Sequence, residues 1–215
     1  MLVFNRKNMR YALIYLAGMI TTALGINIIL RSSLGAGAWD TVTNNLSILA
    51  HISLGTASAS VNIIILAFIM VYNKKIKFLF VLVPIIGIAL AIDFWDIIVF
   101  DTFYPSHVLL KLLYFVGGTG ILTLGLASMI STKYPAMVFD ELTLSLMRLL
   151  KIPSFFKTRI LIELFAIVLA SIFGFLANVG FGAVNFGSLM LAIIIGPLIA
   201  LHLKWLSKIM TTKKV

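Results

Sequence analysis

Cysteine is absent from all 215 residues, which rules out a disulfide framework, a thiol nucleophile and any Cys-ligated metal. Charge is scarce as well: 11% of residues are Asp, Glu, Lys or Arg, less than half of the ~25% usual in a soluble domain. Only seven residues are acidic, so carboxylate chemistry has few places to reside. The three histidines, His51, His107 and His202, are scattered and form no H-E-x-x-H motif. No G-x-S-x-G nucleophile elbow is present, and the Gly117-Gly118-Thr119-Gly120 run lacks the lysine of a phosphate-binding loop. Asp93 and Asp96 lie on one helix, whereas an intramembrane aspartyl protease needs its pair on facing helices. These absences lead us to expect a protein that is not an enzyme and uses no cofactor or metal.

What the chain does have is apolar length: 61% of its residues are hydrophobic. Six segments reach the ~20 residues that cross a bilayer core: 11–30, 54–72, 78–100, 108–129, 160–176 and 183–203. The chain therefore reads as an all-α integral membrane protein. Arg6, Lys7 and Arg10 precede the first run as they would a signal peptide, but the run is too long for a signal core and reads as a span. With the N-terminus in the cytoplasm, fifteen basic residues fall inside and only Arg31 and Lys111 outside. Both termini are then expected to be cytoplasmic. The net charge of +10 comes from clusters flanking the spans rather than from one basic face, so nucleic acid is not an expected partner.

The strongest pattern is an internal repeat at an offset of one hundred residues. Leu13, Gly18, Leu24, Gly25, Ala36, Asp40, Thr43 and Leu46 recur as Leu113, Gly118, Leu124, Gly125, Ala136, Asp140, Thr143 and Leu146. Residues 1–105 and 106–215 thus form two three-span repeats within one membrane domain. Three is odd, so the second copy enters the membrane from the opposite side, giving the inverted topology common in secondary transporters. Gly18 and Gly25, matched by Gly118 and Gly125, form small-residue strips suited to close helix packing.

Each half also carries a short amphipathic segment between its first and second spans, 40–51 and 140–151. Val42, Leu46 and Leu49, like Leu142, Leu146 and Leu149, recur at helical spacing. A twelve-residue helix is about 18 Å long and cannot cross the bilayer, so each is interfacial or re-entrant. Gly35, Gly37 and Pro135 break the chain before them. In one reading, two broken helices aim their N-termini at a midplane site lined by Gly35, Gly37, Trp39, Asp40, Phe139 and Asp140. In the other, Asp40 and Asp140 simply cap interfacial helices.

The remaining intramembrane acids are Asp93, Asp96 and Glu163; with His202 they are candidates for proton or cation coupling. Aligning Ile86-Gly87 with Ile195-Gly196 sets Asp93 against His202. Each also has a structural reading: a vestibule for the Asp pair, an interfacial anchor for His202 beside Lys204 and Trp205, and a snorkelling pair of Glu163 with Lys157 or Arg159. Asn62 and Asn185 are expected to bond between helices.

Leu24-Gly25, the stretch Ser32-Ser33-Leu34-Gly35-Ala36-Gly37-Ala38-Trp39-Asp40 and Leu54-Gly55 resemble the YczE/YyaS/YitT family of bacterial multi-pass membrane proteins. The resemblance implies a bacterial plasma-membrane location and supplies no substrate. The second half departs from the pattern, with Tyr134-Pro135-Ala136-Met137-Val138-Phe139-Asp140 in place of the glycine-rich form. The function expected is secondary transport or export of a small solute. The alternative is a non-transporting regulator or assembly partner that presents the basic surface from Lys133 to Arg159 to anionic lipid or protein. Membrane lipid and a small solute are the expected partners; a second copy or another membrane protein is the further one this reading allows.

Overall fold

The structure, a computed structural model, describes residues 6–132, 134, 135 and 137–212. Ala136, Lys133, Lys213 and Lys214 fall outside them. The described chain is helical: α1 (Arg6–Ser32), α2 (Ala38–Ala50), α3 (Leu54–Asn73), a 3-10 turn (Ile76–Val81) leading into α4 (Leu82–Asp93), a π-helical end to α4 (Phe94–Phe100), α5 (Val108–Ser131), α6 (Val138–Leu150), α7 (Phe155–Leu176) and α8 (Phe186–Thr212). Six stretches are long and apolar enough to span a membrane, namely α1, α3, Ile76–Phe100, α5, α7 and α8. They match the six expected segments. α7 starts five residues earlier than expected because Ser154 accepts the Lys157 N–H as an N-cap, just as Ser53 accepts that of Thr56 for α3.

α1 and α5 form the central contact, and the glycine strips explain it. A Cβ on Gly25 would lie 2.5 Å from the Leu122 Cα, and one on Gly125 would lie 2.5 Å from the Thr22 nitrogen. Gly18 faces Met129 and Gly118 faces Ile29, so the helices cross antiparallel with backbones in near contact. The strips join the two halves of one chain. α4 packs on α1 and α3; α8 packs on α5 but makes no comparable contact with α7. Large apolar side chains such as Ile64, Val71, Phe165 and Ile193 cover the outside, as a lipid-facing surface requires.

Candidate functional site

The short helices start earlier than their aspartates suggest. The N-cap of α2 is Gly37 and that of α6 is Met137, which puts Asp40 and Asp140 in the first turn rather than at the cap. Among the described residues, neither carboxylate accepts a backbone N–H, so the capping role expected for them is not seen. His51 and Lys151 end the two helices in the left-handed conformation.

The first turns of α2 and α6 meet. The Trp39 indole stacks on the Phe139 ring, with centroids 5.1 Å apart and planes inclined by 22°. Both side chains are buried. Residues one hundred positions apart are thus in face-to-face contact, and the chain must bend back after α1 and after α5 to bring them there. The bend after α1 is pinned to the start of α8: Gly187 N–H donates to the Leu34 carbonyl (2.9 Å) and Ala36 N–H to Ser188 Oγ (3.2 Å). Gly35, at φ +118°, permits this approach, since a Cβ there would sit 2.5 Å from the Ser188 nitrogen.

Two polar clamps hold the other ends. Asn45, fully buried on α2, donates to the carbonyls of Ala170 (2.8 Å) and Phe181 (3.1 Å) and accepts from the Ala183 N–H (3.0 Å). Ser145, at the matching place on α6, accepts from Asn73 Nδ2 at 2.8 Å, and Arg148 donates to Asn73 Oδ1 at 2.7 Å. Each short helix is therefore fastened to the second span of the opposite half. Asn45 was not singled out from sequence; its signal was an Asn on the apolar flank of an amphipathic helix.

Beyond Trp39 the halves diverge. Asp40, half-buried, lines a partly open cavity of about 20 Å³ together with Thr43, Ser58, Asn62, Trp39 and Phe139, bounded by Pro84, Ile85 and Ile88 of α4. That volume admits about one water molecule. No hydrogen bond or ion pair reaches the Asp40 carboxylate among the described residues, and the buried Trp39 Nε1 is likewise unpartnered. Asp140 lies outside this cavity with its side chain 68% exposed. Arg159 bridges Asp140 (3.1 Å) and Glu163 (2.9 Å). An offset of 101 residues relates Ser53 to Ser154 and Asn62 to Glu163, so Asn62 and Glu163 occupy corresponding turns of α3 and α7. Glu163 is within electrostatic reach of Asp40. The expected lining is thus only partly assembled: Trp39, Asp40 and Phe139 share the cavity, Gly37 lies against the Asp40 carboxylate, and Gly35 and Asp140 lie elsewhere.

The other coupling candidates separate by partner. Asp93 accepts from Gly55 N–H (2.6 Å) and Ser53 Oγ (2.7 Å), tying α4 to the start of α3. Asp96 pairs with Arg31 at 2.8 Å. Arg31 is only 2% exposed, also donates to Asn27 Oδ1 and to the carbonyls of Asp96 and Asp101, and lies near the Phe100 and Tyr104 rings. Arg31, Asp96 and Tyr104 border a polar cavity of about 380 Å³ that also touches Gly35, Asn44 and Ser47. His202 has a buried Nδ1 without a partner, so the Asp93-like tie is missing in the second half. Asn62 bonds the Ser58 carbonyl of its own helix rather than a neighbouring helix, while Asn185 reaches the Ser33 carbonyl. No group of three His, Asp or Glu side chains fit to hold a metal ion occurs among the described residues.

Fold and site together define a polytopic helical membrane protein with two half-helices butted at their N-terminal turns. The model of DUF6198, a family of unknown function, matches residues 9–204, and the chain belongs to that family. The uncharacterized protein YyaS of Bacillus subtilis (strain 168) is 30% identical over 159 residues, covering 74% of this chain and 79% of its own length. The resemblance read from the glycine-rich stretch is thereby borne out. No solved structure matches.

Proposed function

We propose that the protein is a secondary carrier of a small solute in the bacterial plasma membrane, not a catalyst, with inverted halves and both termini cytoplasmic. The observation that carries this reading is the Trp39–Phe139 stack. It joins two half-helices that start in the interior, an arrangement suited to a midplane site between repeats. Antiparallel α1 and α5 support inversion. The difference between a half-buried Asp40 and an exposed Asp140 supports alternating access, because one half is packed more closely than the other. Solute binds beside the stacked rings, and Asp40 with the Asp140–Arg159–Glu163 group carries coupling charge. The regulator alternative needs free cations on the inner face, yet Arg148 is engaged with Asn73, and Lys133 lies outside the described residues.

Purified protein in proteoliposomes tests the carrier reading with a panel of labelled metabolites, with and without imposed ion gradients. Uptake of one of them that falls at least about tenfold in Asp40→Asn is expected. Absence of flux for the whole panel, together with wild-type cellular behaviour of Asp40→Asn and Asp140→Asn, refutes it.

A further inference from the structure

The cavity beside Asp40 holds several oxygen acceptors, those of Thr43 and Asn62 with their hydrogens turned elsewhere, and is bordered by the unpartnered Trp39 Nε1–H. Thr43 Oγ1 donates to the Asp40 backbone carbonyl (3.0 Å), leaving its lone pairs free. Asn62 Nδ2 donates to the Ser58 carbonyl (2.8 Å), so its Oδ1 is the unengaged atom. Ser58 Oγ has one long contact, 3.5 Å from Asn62 Nδ2, and both Asp40 carboxylate oxygens are free of donors among the described residues. One formal negative charge and several neutral oxygens therefore surround space for one water-sized body.

A half-buried carboxylate without a donor or counter-cation is unfavourable, and Arg159 and Arg31 do not relieve it. Arg159 is committed to Asp140 and Glu163. Arg31 is committed to Asp96. Hard monovalent cations prefer oxygen ligands, and a single carboxylate matches one positive charge where a divalent ion would call for more. We infer that Asp40, Thr43, Ser58 and Asn62 form a binding site for a monovalent alkali cation. The inference deepens the proposed carrier function by naming its coupling ion, and it rests on that reading for the ion's role but not for the binding itself.

Trp39 borders the site and reports on it. In detergent, the Trp95→Phe/Trp205→Phe protein keeps Trp39 as its sole tryptophan. Titration with Na+ and, separately, K+ against choline at constant ionic strength and pH is expected to give a saturable change in Trp39 emission and a rise in Tm. The affinity should fall about tenfold or more in Asp40→Asn and in Asn62→Ala. Should Asp40→Asn fold poorly, Ser58→Ala takes its place. No response to either ion, or an equal response in the variants, overturns the site; so does a response to pH alone that Asp40→Asn abolishes, which makes Asp40 a proton carrier. Ion binding without solute flux in proteoliposomes defeats the carrier reading and leaves the site standing, whereas flux indifferent to Na+ and K+ defeats the coupling role alone.

Discussion

Asp40 and Asp140 stand in the first turns of equivalent half-helices, and only Asp140 has a counter-charge. Arg159 supplies it, at 3.1 Å, while its Nε holds Glu163 at 2.9 Å. The corresponding turn of the first half offers Ser58 and Asn62, both neutral. Two short helices of similar sequence therefore carry aspartates in different electrostatic settings, one half-buried and one exposed.

Arg159→Gln should destabilise the protein by about 2 kcal/mol, since the mostly buried Glu163 then loses its counter-charge. Glu163→Gln in the same chain should recover much of that loss, with a coupling energy of about 1 kcal/mol or more. Thermal unfolding of the two single variants and the double variant in one detergent measures it. Additive losses would show that the pair contributes nothing to stability.

The α1–α5 crossing makes a sharp distinction among glycines. Gly25→Ala and Gly125→Ala each place a Cβ about 2.5 Å from the partner helix and should cost about 1–3 kcal/mol, as overpacking does. Gly120→Ala, on the same α5, meets nothing within 4 Å and should be neutral or slightly stabilising. Tm and the monodisperse yield after extraction provide the readout.

Much of this architecture was legible because it depends on patterns that survive in one dimension. Apolar length set the six spans, and the repeat at Gly18, Gly25, Gly118 and Gly125 pointed to the contact that joins the halves. The start of α2 was misplaced by two residues because Gly37, with no side chain to signal a cap, ends up as the N-cap. Burial of Arg31 was hidden for a different reason. In sequence a lone basic residue at a span end enters only the charge count, and only the tertiary fold brings Asn27, Asp96 and Asp101 around it. The Asp40 cavity was half visible: its charge and ring were on the α2 motif, but Asn62 reads in sequence as a residue bonding between helices and Ser58 carries no signal of its own.

The first half also indicates how the second should close. Asp93 holds α4 against the α3 start through Gly55 and Ser53, and the repeat sets His202 against Asp93 and Phe156 against Gly55. In the second half α8 stays on α5 and off α7, Asp140 is uncovered, and His202 Nδ1 has no partner. If the halves exchange conformations, α8 must swing onto α7 and bring position 202 to position 156. The chain has no native cysteine to confuse the experiment. Phe156→Cys/His202→Cys should therefore form a disulfide under mild oxidant in membranes, faster when solute or ion shifts the population, and the cross-linked protein should lose flux until it is reduced. Phe156→Cys with Ile193→Cys, exposed and about two and a half turns along α8 from position 202, serves as the control pair and should not cross-link. A 156–202 pair that never bridges would mean that α8 is fixed in its open position and that the two halves do not interconvert.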